Sequence, residues 1–147
     1  MTTRAVIQPV VDKLRGQGLT RLQVADELRR LFKVNAMVAA RLAHGWSQQQ
    51  AAEAWNARWP EDENPKTSRN FAYWEAFPSS AGYPASLATL MQLAELYQVA
   101  VSDLVAGVGD FRHLDEQYPG RDAMEPAVHA QPDGVASGES AALASGP

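Results

Sequence analysis

The chain has 147 residues, which leaves room for one domain of ordinary size and a tail. It has no cysteine, so disulfide bonds and thiolate metal sites are excluded, and its hydrophobic fraction of 46% is enough to build a core. No segment approaches the roughly eighteen consecutive apolar residues of a membrane span, and the first residues lack an apolar signal core. We therefore expect a cytoplasmic protein with no membrane partner.

The net charge of −4 is distributed unevenly along the chain. Residues 1–58 contain nine Lys and Arg against four Asp and Glu, whereas residues 111–147 contain two against six. An acidic protein is an unusual binder of nucleic acid, but this polarity leaves a basic first half that could face an acidic partner. Charge alone therefore favours neither a nucleic-acid nor a protein partner.

Two segments in the first third of the chain predict amphipathic helices. Residues 4–17 place apolar side chains at helical spacing, with Pro9 near the first turn or at a kink. The predicted apolar face consists of Val6, Ile7, Val10, Val11 and Leu14. Thr20 followed by Gln23 is a capping box, in which a hydroxyl and a glutamine satisfy free N–H groups at a helix start. A second helix is therefore expected to begin after Thr20.

The segment 18–28 aligns with the segment 45–55 at an offset of 27 residues. The two segments have the same residue types at corresponding positions: a glycine, a capping hydroxyl, a glutamine, two small residues, an acid and a large apolar residue. We infer two copies of one capped helix, with residues 35–44 shared between a first helix-turn-helix and a second. The alternative is that any two capped amphipathic helices look alike.

The middle of the chain carries the strongest pattern. Ser47 and Gln50 form a second capping box, and small and aromatic residues follow at helical spacing, as where another helix comes close. A short helix, 67–75, is predicted to bury Phe71 and Trp74 and to expose polar side chains near its N-terminus. A helix-turn-helix reads the major groove in this way: a first helix and a break are followed by a short helix that exposes polar groups.

At these residues the chain resembles the lambda-repressor-like (Cro/CI, or XRE-type) helix-turn-helix family. The matching features are Arg41 four residues before Gly45, the run G-W-S-Q-Q-Q-A-A-E, and W-E at 74–75. The run P-A-S-L-A-T-L-M-Q-L-A-E-L-Y-Q-V at 84–99 is similar to the family's fourth helix and its following turn. The resemblance covers about half of the chain, from residue 35 to 105, and it depends on the order and spacing of these motifs.

The resemblance implies the fold class and the domain organisation. We expect an all-α, five-helix lambda-repressor-like domain at 35–108. An N-terminal extension of two helices, 1–34, precedes it and shares helix 35–44. The acidic tail 109–147 is expected to be mostly disordered, because it is rich in Gly, Pro, Ala and Ser and has no periodic apolar face.

The resemblance also implies a function and a set of functional residues. The partner would be double-stranded DNA, read in a sequence-specific way for transcription regulation, and homodimers on pseudo-palindromic sites are expected. The predicted DNA-binding residues are Gln48, Ser68, Arg69, Asn70 and Tyr73, and the family's structural ion pair maps to Arg41 and Glu75. The alternatives are that the side chains of helix 67–75 are ordinary solvated groups and that Gln48 serves helix capping alone.

The loop 56–66 is much longer than the corresponding turn of the family. We predict that the preceding helix continues through Arg58 and ends before Pro60. DNA phosphates would repel the acidic run at 61–63 if this loop faced them. The alternative function is therefore a helical protein-interaction or adaptor module, which binds a protein partner through 56–66 or the tail.

Downstream, Ser86 is expected to cap a helix, and a last short helix is expected at about 101–105. The predicted apolar face of the first of these helices consists of Leu87, Leu90, Met91, Ala94 and Tyr97.

No motif for catalysis or cofactor binding is found. The histidines His44, His113 and His129 have no partner at metal-ligand spacing. The chain has no glycine-rich phosphate loop, no G-x-S-x-G, and no pair of carboxylates on an apolar helix face. We therefore expect a protein that is not an enzyme, with no catalytic residue, no metal site and no cofactor.

Overall fold

The structure, a computed structural model, describes residues 4–120, and within them the chain forms seven α-helices and no β-strand. The helices are α1 (Arg4–Gly16), α2 (Arg21–Phe32), α3 (Ala36–Leu42), α4 (Gln48–Arg58), α5 (Ser68–Ala76), α6 (Leu87–Tyr97) and α7 (Val101–Leu104). The predicted all-α class is confirmed for these residues. None of these helices is long and apolar enough to cross a bilayer.

Helix α3 lies between two hydrophobic cores. Its sequence A-M-V-A-A-R-L is rich in alanine, so neighbouring helices can approach it on more than one side. The N-terminal core consists of Ile7 and Val11 of α1, Val24, Ala25 and Leu28 of α2, and Ala39, Leu42 and Ala43. The C-terminal core consists of Ala40, Ala51, Ala52, Trp55, Phe71, Trp74, Leu93, Ala94, Leu96, Tyr97 and Leu104. Each core therefore uses its own side of the same short helix.

Helices α2 and α4 begin in the same way. The Thr20 hydroxyl accepts from the N–H of Gln23 at 3.1 Å, and the Gln23 side chain accepts from the N–H of Thr20 at 2.9 Å. Ser47 and Gln50 make the same two bonds at 3.1 and 2.8 Å, so both predicted capping boxes are confirmed. At the offset of 27 residues, the buried Val24, Ala25 and Leu28 correspond to the buried Ala51, Ala52 and Trp55. The repeat therefore extends from the caps to the buried positions.

Helix α1 buries a narrower face than its sequence suggests. Ile7 and Val11 are buried, but Val6, which was placed on the same apolar face, is 55% exposed. Pro9 lies inside the helix, where it removes one backbone hydrogen bond.

Helix α6 is capped by Ser86 as predicted, and its predicted apolar face is buried only in part, at Ala94 and Tyr97. Leu87 and Met91 are 67% and 59% exposed, so this part of the predicted face lies outside the core. The buried residues are Leu93, Ala94, Leu96 and Tyr97. The sequence L-A-T-L-M-Q-L-A-E-L-Y is apolar on more than one side, and helical periodicity alone does not select the side that faces the core.

The chain divides after Val108, and residues 109–120 are described by themselves. Arg112–Leu114 form a single 3₁₀ turn, and the Arg112 guanidinium lies 2.6 Å from the Asp110 carboxylate. The first part of the segment expected to be disordered therefore contains a local turn. The rest of that segment, 121–147, lies outside the described residues.

The turn after α5 folds back onto the end of that helix. The N–H of Tyr83 donates to the carbonyl of Tyr73 at 3.3 Å, and the two rings lie 4.6 Å apart. Gly82 fits beside them because it has no Cβ. An added Cβ would lie 2.4 Å from the Phe77 nitrogen and 2.5 Å from the Tyr73 oxygen, and both are backbone atoms.

We expect Gly82→Ala to lower the free energy of unfolding by about 1–3 kcal/mol, because the turn or the end of α5 must move to admit the methyl group. Urea unfolding followed by circular dichroism measures this. Gly16→Ala at the end of α1 is the matched control, since its Cβ would meet nothing within 4 Å. That change should be neutral or stabilising by up to about 1 kcal/mol. Equal effects of the two substitutions would contradict the close approach at Gly82.

Candidate functional site

Helix α5 has one buried side and one open side. Phe71, Trp74 and Glu75 are buried, whereas Arg69 is exposed and Tyr73 is half-buried. Arg69 and Tyr73 are four residues apart, so they share one side of the helix. The sequence thus places aromatic residues inward and a cationic side chain outward on the same nine-residue helix.

The structure brings Arg41 of α3 and Glu75 of α5 together as a bidentate ion pair. The Arg41 Nε lies 2.6 Å from one carboxylate oxygen and its Nη2 lies 3.0 Å from the other. Only 10% and 7% of the two side chains are exposed, so both charges are removed from water. A third donor, Nη1 of Arg41, bonds the carbonyl of Trp46 at 2.8 Å. Three donors of one guanidinium therefore connect α3, the α3–α4 turn and α5.

Gln48 of α4 belongs to the same network. Its amide nitrogen donates to Glu75 Oε1 at 2.9 Å. This side chain, which the resemblance assigns to DNA binding, is thus held by a buried carboxylate. What remains open at the start of α4 is the backbone of Gln48 and Gln49, since the N–H of Gln50 already donates to the Ser47 hydroxyl.

Asn35 connects the start of α3 to the end of α5, a role that sequence reasoning missed. Its side-chain oxygen caps α3 by accepting from the N–H of Val38 at 2.9 Å. Its amide nitrogen donates to the backbone carbonyl of Glu75 at 2.8 Å. The capping signal was visible in the sequence, but the partner lies 40 residues away, and no local pattern indicates it.

Two of the predicted DNA-binding residues of α5 also have structural partners. Thr67 is the N-cap residue of α5. The Asn70 side-chain oxygen accepts hydrogen bonds from the Thr67 N–H at 2.9 Å and from the Thr67 hydroxyl at 3.3 Å. The ring of Tyr73 lies against that of Tyr83. Ser68 is half-buried, which leaves Arg69 as the exposed member of the set. Arg69 forms no ion pair with any residue in 4–120.

The loop between α4 and α5 is closed at its base. The Asn56 amide nitrogen donates to the carbonyl of Lys66 at 2.9 Å, and the N–H of Lys66 donates to the Asn56 side-chain oxygen at 2.8 Å. The Lys66 ammonium lies 5.4 Å from the centre of the Trp55 ring, which is a cation–π distance. Helix α4 ends at Arg58, as predicted.

The three acidic residues of this loop are not equivalent. Asp62 accepts from the N–H of Asn64 at 2.9 Å and lies 3.4 Å from the Lys66 ammonium. The bond from Asn64, helped by Lys66, lowers the pKa of the Asp62 carboxyl. Glu61 and Glu63 are exposed. The charge that the loop presents to a partner is therefore mainly that of Glu61 and Glu63.

The end of α6 is attached to the turn before α4. The ring of His44 stacks on Trp46 with the centroids 4.5 Å apart, and its Nε2 lies 2.8 Å from the carbonyl of Tyr97. Burial lowers the pKa of His44, and the nearby Arg21 and Arg15 act in the same direction. Within residues 4–120, no group of three or more metal-ligating side chains comes together.

No protein-family model, curated protein sequence or solved structure matches the chain significantly. The geometry of the described residues is therefore the basis for inferring function.

We expect Glu75→Ala to lower the free energy of unfolding by about 3–5 kcal/mol, because it leaves the Arg41 guanidinium buried without its counterion. Chemical denaturation with tryptophan fluorescence measures the loss.

Glu95→Ala is the control, since it removes one carboxylate from an ion pair with Arg58 whose side chains are 51% and 53% exposed. Such an exposed pair contributes about 0–1 kcal/mol. A Glu75→Ala protein as stable as the Glu95→Ala protein would show that the buried pair does not hold α5.

Proposed function

We propose that this protein is a sequence-specific DNA-binding regulator of transcription, not an enzyme, and that it reads the major groove with α5. The observation that carries the proposal is the way α5 is held. Its aromatic side and Glu75 are fixed against α3 and α4, and Arg69 is left open on the other side. This arrangement fits the lambda-repressor-like helix-turn-helix, in which a buried ion pair sets the angle of the recognition helix.

The diameter of α5 matches the width of the major groove. An α-helix with its side chains is about 10–12 Å across, and the major groove of B-DNA is about 12 Å wide. In this arrangement Arg69 bonds the O6 and N7 atoms of a guanine. Tyr73, one turn further along, contacts the adjacent base edge or sugar.

The start of α4 supplies a backbone contact in this arrangement. The free N–H groups of its first turn and the positive end of the helix dipole favour a phosphate. The Gln48 side chain, which is bonded to Glu75, acts by linking this turn to α5. A phosphate bound at α4 thus fixes the register of α5 along the groove.

The exposed face of α6 supports a dimer. Leu87 and Met91 lie one turn apart on that face and are both more than half exposed. A second copy of the chain is the occupant that the proposal requires, because one helix in one half-site offers few base contacts, and paired half-sites are the usual solution. The dimer would place two α5 helices on a pseudo-palindromic site.

The proposal is tested by selecting the purified protein against a pool of random duplex DNA at about 150 mM salt, where non-specific binding is weak. We expect an enriched motif, and two inverted half-sites in it would report a dimer. Arg69→Ala should weaken binding to that motif roughly 5–150-fold and relax the preference at one position, because one bidentate base contact contributes about 1–3 kcal/mol.

Arg30→Ala is the matched control, since Arg30 lies on α2 and is paired with Glu27 at 2.6 Å. It should retain the motif and the preference at every position. A folded protein that enriches no motif would overturn the proposal.

The loop between α4 and α5 supports the second candidate, a helical adaptor module. Glu61 and Glu63 are exposed on a segment that is closed at its base by Asn56 and Lys66. A closed, acidic loop is a suitable contact for a basic protein surface. In that case α4 and α5 would hold the loop and would not enter a DNA groove.

We expect the double substitution Glu61→Lys and Glu63→Lys to distinguish the two functions. If DNA is the ligand and the loop lies beside it, the lysines should tighten duplex binding and steepen its dependence on salt. Fluorescence anisotropy at several salt concentrations measures both effects. Asp62 is left unchanged, because its bonds to Asn64 and Lys66 maintain the loop. An unchanged salt dependence would place the loop away from DNA, and loss of a protein partner would favour the adaptor.

A further inference from the structure

Two arginines of the N-terminal helices donate to the turn between α3 and α4, and a third donates to the loop just before α2. The guanidinium of Arg4 donates to the carbonyl of Gly45 at 3.0 Å, and that of Arg21 donates to the carbonyl of Ala43 at 2.8 Å. Arg15 donates to the carbonyl of Leu19 at 2.9 Å, just before α2. These three residues, which we term the arginine cluster, belong to the N-terminal extension and not to the segment that resembles a known family.

Each guanidinium of the cluster has unused donors. An arginine side chain has five N–H groups in a rigid fork, and each of these three uses one of them on a backbone carbonyl. That single bond fixes the position of each charge, and the exposed Arg4 and Arg15 keep further N–H groups open to a ligand. Among residues 4–120, no carboxylate lies within 4 Å of any of the three.

The charges of the cluster act on one another and on their surroundings. Burial, and after it the charge of Arg15, lower the pKa of Arg21. Arg21 and Arg15 both lower the pKa of His44 as well. The Nε atom of Arg21 is buried and has no hydrogen-bond acceptor among the described residues. Positive charge is therefore concentrated at this turn without a protein counterion.

One carboxylate lies on the same side of α1. Asp12 is eight residues after Arg4 and three before Arg15, and it accepts a hydrogen bond from the Gln8 amide at 2.9 Å. It forms no ion pair with an arginine in the described part of the chain. Asp12 therefore reduces the field of the cluster without satisfying the donors of any of its members.

We propose that the arginine cluster binds the phosphate backbone of duplex DNA beside the groove that α5 enters. This inference rests on the proposed function and extends its contact surface to the N-terminal helices. Planar forks with free donors match the oxygens of a phosphodiester, an anion that arginine can bind through two parallel hydrogen bonds.

The position of the cluster supports this extension. Gly45, which holds Arg4, is three residues from Gln48 at the start of α4, a chain distance of at most about 11 Å. Gln48 is bonded in turn to Glu75 of α5. The cluster, the α4 start and α5 thus follow one another along the protein, and the cluster adds phosphate contacts next to the one at α4.

The test uses the full chain and a fixed duplex of about two helical turns, with dissociation constants measured by fluorescence anisotropy between about 50 and 200 mM salt. Arg4→Gln and Arg15→Gln should each weaken binding roughly three- to tenfold near 100 mM salt. Each should also reduce the salt slope, which is the steepness of log K against log salt concentration, by about 0.9. The corresponding lysine variants keep the charge and should keep the slope. Asp12→Asn should act in the opposite direction and tighten binding.

Arg30→Gln is the matched control for the lost charge. Arg30 is nine residues after Arg21 on α2, about two and a half helical turns, and so faces the other side of the helix. It should leave the slope unchanged. Unfolding midpoints of all the variants separate weaker binding from loss of fold.

The outcomes separate the two proposals. If the unmodified chain binds duplex DNA and the glutamine variants keep its slope, the phosphate role of the cluster is overturned and the function of α5 stands. If the glutamine variants and Arg30→Gln lower the salt slope equally, the effect is one of net charge, and the phosphate role of the cluster is again overturned. If the folded chain binds no duplex at any salt concentration, both proposals fail.

Discussion

A guanidinium and a carboxylate that have almost no contact with water determine how the middle of this protein is assembled. Apolar contacts of residues such as Phe71 and Trp74 stabilise α5 but tolerate small rotations and shifts, because burial is not directional. The bidentate pair of Arg41 and Glu75 tolerates much less, since two parallel N–H···O bonds fix both distance and angle. A buried ion pair is a weak source of net stability, and fixing one arrangement is the more plausible physical reason for it here.

The same pair explains why other polar groups gather where they do. Once Glu75 is buried, its oxygens need donors, and Gln48 supplies one from the start of α4. Once Arg41 is buried, its Nη1 also needs an acceptor, which the carbonyl of Trp46 supplies. A buried polar group is costly unless it is satisfied, so the pair recruits the turn between α3 and α4 into the same network. The placement of the open side of α5 thus depends on residues from three separate segments.

Local features of the structure could be predicted from the sequence, and contacts between distant segments could not. The capping boxes at Thr20 and Ser47 were predictable because their partners lie three residues away. The partner of Asn35 was not, because its carbonyl acceptor belongs to another helix. The buried side of α6 was predicted only in part for a different reason, since leucines such as the exposed Leu87 occur on several of its sides.

In the candidate site, too, local features were predictable and contacts with distant residues were not. The sequence indicated that Arg69 is exposed and that Phe71 lies inward, because helical periodicity carries that information. It did not indicate that Gln48 and Asn70 are already engaged, since amide side chains have the same appearance in a sequence whether they bind a ligand or the protein itself. Only the surrounding geometry distinguishes a free amide from one that is already bonded.

The double hydrogen bond between Asn56 and Lys66 has a consequence for how this protein tolerates change. It joins the two ends of the loop, so the path of the chain between them has little influence on where α4 stops and α5 starts. For a flexible loop, each doubling of length costs only about 0.6 kcal/mol in closure entropy. Residues inserted or deleted between 60 and 65 should alter the outline of the molecule and leave its helices in place. The closed base therefore lets this segment accept a change of length without moving the two helices that it joins.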